Sequence, residues 1–67
     1  MNLNAAIKLV ADDTRENTDP SMDDRAAIAS ARTITPADLE VVDNATVREA
    51  YQIVMAASAD DVARALR

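Results

Sequence analysis

The 67-residue chain contains no cysteine, histidine, glycine, phenylalanine or tryptophan, and its only aromatic residue is Tyr51. Disulfide bonds and zinc sites built from cysteine and histidine are therefore excluded. Two of the residue types that most often act as general base or nucleophile are missing, and so is a glycine-rich loop for binding phosphate. We therefore predict a protein that is not an enzyme and that binds no cofactor, metal ion or small-molecule substrate.

The sequence also lacks a long apolar run. No stretch approaches the roughly 20 consecutive apolar residues that a helix needs to cross a bilayer, and no signal or transit peptide is recognisable. The absence of cysteine fits a reducing compartment. We expect a cytoplasmic protein that does not bind membranes.

Negative charge is concentrated in one segment. The chain has 7 basic and 12 acidic residues, for a net charge of -5, and six of the acids lie between residues 12 and 24 with a single base among them. The rest of the chain is neutral, so a basic face for binding nucleic acid or an anionic membrane is not expected. This acidic surface is formed by Asp12, Asp13, Glu16, Asp19, Asp23 and Asp24.

Two interpretations of the acidic surface remain open. It could dock on a basic patch of a partner protein, or it could be a solvated helix end and loop that only adds solubility. A calcium loop is not indicated, because the segment has neither the glycine at position six nor the glutamate at position twelve of an EF-hand loop.

Helix is the expected secondary structure throughout. The chain is rich in alanine and has no glycine, whereas a β-rich fold needs β-branched and aromatic strands with glycine turns. We predict an all-α fold: a single helical domain over residues 1–67, built as a small bundle of four or five short helices around a central helix spanning about 36–57. Such a short chain buries only about 60% of its unfolded surface, so oligomerisation or unusually good packing must compensate.

Two helices are predicted before residue 33. The first runs from residue 2 or 3 to 16, and its apolar residues recur at the spacing of one helical face: Leu3, Ala6, Ile7 and Val10. Residues 17–21 form the first connection, since Pro20 disfavours helical geometry in the residue before it. Ser21 is then the expected N-cap of a second helix covering residues 22–32.

The central helix has the strongest start signal in the chain. Thr35 as N-cap, Pro36 at the first helical position and Asp38 three residues after the cap all favour a helix that begins at residue 36. Its predicted core-facing stripe is Leu39, Val42, Thr46, Ala50, Ile53 and Ala57. The stripe keeps its phase through Asp43, which favours one continuous helix. The alternative is that Asp43-Asn44 caps a new helix and splits the segment into 36–42 and 45–57. Ser58 predicts a last helix from residue 59 onward.

A second face of the continuous central helix would carry the predicted partner-binding residues, Val41, Arg48, Tyr51 and Met55. Tyrosine, methionine and arginine are enriched at interface cores, and a helix with two apolar faces usually has a neighbour on each. The partner is another protein or a second copy of the chain, and a homodimer is the commonest form. If the helix instead breaks near residue 43, Tyr51 and Met55 would turn inward and complete the core.

These patterns predict a small acidic, non-enzymatic protein–protein interaction module that acts as an inhibitor or adaptor by docking on a basic patch of its partner. The alternative is a degenerate helix-turn-helix regulator that binds DNA, because residues 29–42 have the spacing of that motif. Its recognition helix would carry Asp38, Glu40 and Asp43 and no base, so it would repel phosphates.

Overall fold

The computed structural model describes residues 1–67 and contains five α-helices: α1 (Leu3–Asn17), α2 (Asp24–Ala31), α3 (Pro36–Glu40), α4 (Ala45–Ala56) and α5 (Ala59–Ala65). The predicted all-α bundle of short helices is confirmed. Its organising element is α1, the longest helix, which packs against α4 and α2 and more lightly against α5. None of the helices is long and apolar enough to span a membrane.

Every helix begins at a residue whose side chain accepts a hydrogen bond from the backbone two or three residues further on: Asn2, Asp23, Thr35, Asn44 and Ser58. Three helices begin where predicted, at residues 3, 36 and 59, and Thr35 and Ser58 are the predicted caps. Thr35 and Asp38 form a capping box, in which the Asp38 N–H donates to Thr35 Oγ1 at 3.2 Å and the Thr35 N–H donates to Asp38 Oδ2 at 3.4 Å. Ser58 caps α5 through the Asp61 N–H at 3.1 Å.

The predicted start of the second helix is wrong by two residues. The N-cap is Asp23, which accepts from the Ala26 N–H at 2.8 Å. Ser21 is committed to a turn instead, because its N–H and its hydroxyl both donate to Asp19 Oδ1, at 3.0 and 2.7 Å. Such local side-chain bonds compete with helix formation, so the helix starts only after the turn closes.

The predicted continuous central helix over 36–57 is also wrong, because α3 ends at Glu40 and α4 begins at Ala45. Asn44 Oδ1 accepts from the N–H groups of both Thr46 and Val47, at 2.9 and 3.2 Å, which makes it the N-cap of a new helix. The Arg48 guanidinium donates to the Val42 carbonyl and so holds the connection against the first turn of α4.

Because of the break, the residues of α4 that face the core differ from those predicted for a continuous helix. The face of α4 turned toward the interior is Val47, Ala50, Tyr51 and Val54, in which Val47 is half-buried and the other three are buried. Of the predicted stripe, only Ala50 is buried; Thr46 is exposed, and the remaining members are half-buried. The core contains eleven residues, many of them alanine: Ala6, Ile7, Val10, Ala11, Ala27, Ile28, Ala31, Ala50, Tyr51, Val54 and Val62.

Candidate functional site

The four predicted partner-binding residues do not share one face. Tyr51 is buried, with 5% of its surface exposed, whereas Val41 in the α3–α4 connection is 77% exposed. Met55 is 39% exposed and Arg48 is half-buried. The expected common face depended on an unbroken helix, so the break at residues 41–44 separates Val41 from the others and turns Tyr51 into the core. A role of these residues in partner binding remains a prediction.

Tyr51 joins α4 to α1 through its hydroxyl. The hydroxyl donates to Asp13 Oδ2 at 2.7 Å and lies 3.3 Å from the hydroxyl of Thr14, which is also buried. Burial raises the pKa of Tyr51 above its ordinary value, the bond to Asp13 raises it further, and the bond to Thr14 opposes them. One residue from each predicted surface, Tyr51 and Asp13, is therefore engaged in holding the fold together.

Most of the acidic surface likewise has local partners. Arg15 donates to Asp12 and to Asp24 at 2.6 Å each. Both bonds raise the pKa of Arg15, and the bond to Asp24 has the larger effect. Hydrogen bonds from Ser21 lower the pKa of Asp19 below its ordinary value, and Asp23 caps α2. Only Glu16 accepts no hydrogen bond from another residue. The side chains of Asp12 and Asp24 stay 59% and 61% exposed, so this surface still presents negative charge to solvent.

A shallow apolar groove of about 330 Å³ lies between α3 and α4. Because α3 buries none of its residues fully, Leu39 packs against the edge of the core and also forms part of the wall of this groove. The α3–α4 groove is lined by Ile34, Thr35, Pro36, Leu39, Gln52, Met55 and Ala56. Arg48 lies at a neighbouring depression that shares Pro36, Leu39 and Gln52 with it. Two predicted partner-binding residues, Met55 and Arg48, are thus close to the same surface.

Sequence reasoning did not identify Ile34 and Leu39 as residues that line a groove. The sequence predicts Leu39 in the core-facing stripe of a long helix; in the structure it is half-buried, packs against the core and also lines the groove. Leu39 is the only large apolar residue in a short helix that lies between two caps, at Thr35 and Asn44, and that pattern is the signal that could have identified it.

The helix-turn-helix alternative gains no support from the geometry. Residues 32–35 join α2 to α3, but α3 has only five residues and presents Asp38 and Glu40 to solvent. Carboxylates at this position repel DNA phosphates. No group of three or more acidic side chains is arranged to hold a metal ion.

Comparison with protein-family models, with curated proteins and with solved structures finds no match. Function is therefore inferred from the residues and their geometry alone.

Proposed function

We propose that the protein is a small non-enzymatic protein-binding module that docks a basic, partly apolar surface of its partner in the α3–α4 groove. The observation that supports this most is the exposed Met55 in an apolar groove with carboxylates beside it on α3. Glu40 lines the neighbouring depression, and the exposed Asp38 precedes Leu39 in the same helix.

The apolar part of the groove supplies affinity. Burying a fully exposed methionine side chain contributes about 1.5–3 kcal/mol, so covering the 39% of Met55 that is exposed contributes about 1 kcal/mol. Leu39 and Ile34 are half-buried and add to the same contact. Methionine also adapts its shape to a partner because its side chain is unbranched and flexible.

The charge beside the groove supplies selectivity. Asp38 and Glu40 flank Leu39 along α3, and the chain as a whole carries a net charge of -5, so a basic surface is attracted and an acidic one is repelled. Docking on a basic patch covers it, and the expected consequence is inhibition of whatever the patch otherwise binds. A symmetric homodimer through this groove would bring the carboxylates of both copies together, which favours a different protein as the partner.

The proposal is tested by affinity capture from the native host with wild type, Met55→Asp and Val41→Asp. The two variants add the same charge, and Val41 is the more exposed position but lies outside the groove. We expect basic proteins to be retained by wild type and Val41→Asp, to be lost with Met55→Asp, and to be released as ionic strength rises, because salt screens exposed charges.

Equal capture by both variants would contradict docking in the α3–α4 groove. Circular dichroism of each variant verifies the fold, and sedimentation of wild type tests the predicted homodimer separately. Tyr51→Ala is unsuitable as a variant for either the affinity capture or the sedimentation test, because Tyr51 is buried and its truncation would unfold the core.

A further inference from the structure

A second open groove, of about 310 Å³, lies between α2 and α5. The α2 wall consists of Arg25, Ile28, Ala29 and Arg32, which are spaced i, i+3, i+4, i+7 and so form a complete stripe of one helical face. The α5 wall has the same spacing and continues into the C-cap of that helix: Ala59, Val62, Ala63 and Leu66.

The shape of this α2–α5 groove suits a helix. Ile28 and Val62 are buried and form its floor, whereas the alanines along its walls are exposed and short, so that another backbone can approach closely. Two adjacent helical stripes with an open channel between them are the surface on which the ridge of a third helix packs. Within this chain, no helix occupies that position.

The charge of the groove is opposite to that of the molecule. Two arginines and no carboxylate line it, although the chain has 12 acidic residues. Arg25 is exposed and forms no ion pair. Arg32 donates to the carbonyl oxygens of Val54 and Ala57 at 3.2–3.4 Å, and no carboxylate neutralises its charge.

The spacing of the two arginines determines where a partner helix would need carboxylates to pair with them. Residues seven apart on a helix lie on one side of it and about 10.5 Å apart along its axis. A helix lying along the groove would therefore match Arg25 and Arg32 with carboxylates two turns apart. A symmetric pairing of two copies through the groove would instead bring four arginines together, which argues against a second copy as the occupant.

We propose that the α2–α5 groove binds an amphipathic helix of a partner protein, whose apolar stripe fills the groove and whose carboxylates pair with Arg25 and Arg32. This site is separate from the α3–α4 groove and selects the opposite charge. A module with both sites joins a basic partner to an acidic helix.

The test uses two synthetic helices of about 18 residues, long enough to be partly helical in isolation. Both have the same leucine and alanine stripe; one is flanked by glutamates and the other by lysines. The net charge of -5 attracts the lysine peptide non-specifically, so a preference for the glutamate peptide reports the groove itself. In titrations followed by ¹H–¹⁵N NMR, we expect the glutamate peptide to bind about tenfold more tightly and to shift resonances of residues 25–32 and 59–66.

Three variants locate the site. Ala63→Gln lengthens an exposed side chain on the wall without touching the core, and we expect it to weaken the glutamate peptide at least about tenfold. Arg25→Glu should weaken it about fivefold, as reversal of one exposed ion pair does. Lys8→Glu makes the same change in net charge at an exposed position on α1 outside the groove and should weaken binding much less than Arg25→Glu.

Several results would overturn the proposal: no binding of the glutamate peptide at millimolar concentration, equal or tighter binding of the lysine peptide, or binding that Ala63→Gln does not alter. Self-association of wild type that Ala63→Gln abolishes would identify a second copy as the occupant and would also overturn it. Each outcome is independent of Met55→Asp, which affects only the α3–α4 groove.

Discussion

The hydroxyl of Tyr51 is the most informative single group to remove. Tyr51→Phe keeps the ring in the core and deletes only the donor to Asp13, 2.7 Å away, and the contact to Thr14. A hydrogen bond to a charged acceptor contributes about 1.5–3 kcal/mol, but Asp13 is half-buried and can regain water when the donor is lost. We therefore expect the free energy of unfolding to fall by about 1–1.5 kcal/mol. A domain of this size has only about 3–10 kcal/mol in total.

A double-mutant cycle isolates this bond. The free energy of unfolding is measured by urea denaturation for wild type, Tyr51→Phe, Asp13→Ala and the double variant. The gain in helix propensity that alanine brings at position 13 cancels in the cycle. We expect a coupling free energy of about 1 kcal/mol, and a fall in Tm of about 4–8 °C for each kcal/mol lost in thermal scans.

The same hydroxyl predicts an alkaline dependence of stability. The pKa of Tyr51 is raised in the folded state, first by burial and then by Asp13, so folding favours the neutral phenol. The contribution of the Tyr51 hydroxyl to the free energy of unfolding is fully present below the unfolded pKa of about 10. It is lost as the pH rises through the raised pKa of the folded state. Wild type should therefore lose stability relative to Tyr51→Phe in this range. Parallel pH curves together with zero coupling would show that the hydroxyl does not bond Asp13.

Three further predictions concern the ends of α4 and the turn before α2. Asn44→Ala removes the cap of α4 and should lower the free energy of unfolding by about 1 kcal/mol in urea denaturation, with Asn44→Asp as the control that keeps the acceptor. Arg32→Met deletes the bonds to the carbonyls at the end of α4 and should lower the free energy of unfolding by about 1 kcal/mol. No change would mean that water satisfies those carbonyls as well as Arg32 does. Ser21→Ala should return the lowered pKa of Asp19 toward its ordinary value in a ¹³C NMR titration. In wild type, the stability that Asp19 contributes above its unfolded pKa is lost as the pH falls through its lowered folded pKa. This loss of stability should be smaller in the variant.

Helix starts with several concurrent local signals could be predicted from the sequence. At Thr35 the cap, the proline and the acid three residues later all act within one turn, so no distant contact is needed to place the start of α3. Two acceptors compete before α2, and the sequence does not reveal that Ser21 bonds to Asp19 and leaves the cap to Asp23. Local chemistry therefore predicts a start where the signals agree and misplaces it where they compete.

The break at residues 41–44 could not be decided from the apolar period. Both Asn44 as a cap and an unbroken stripe through Asp43 satisfied the local rules. The structure also contains a long-range contact, since Tyr51 meets Asp13 and Thr14, which are 38 and 37 residues away in the chain. That contact fixes which face of α4 is buried, and with it which predicted site residues remain on the surface.

Because α3 packs only weakly on the domain, the α3–α4 groove exists only in the fraction of molecules in which α3 is docked. The helix buries no residue fully, and its capping box joins only residues of its own first turn. Leu39 is half-buried against the core, so we expect α3 to undock at a much lower free energy than the whole domain unfolds. A partner that needs the docked form binds with an apparent Kd equal to the intrinsic value divided by the docked fraction. Substitutions that only shift this population would tune affinity without touching the partner, and hydrogen exchange in α3 would measure the fraction available.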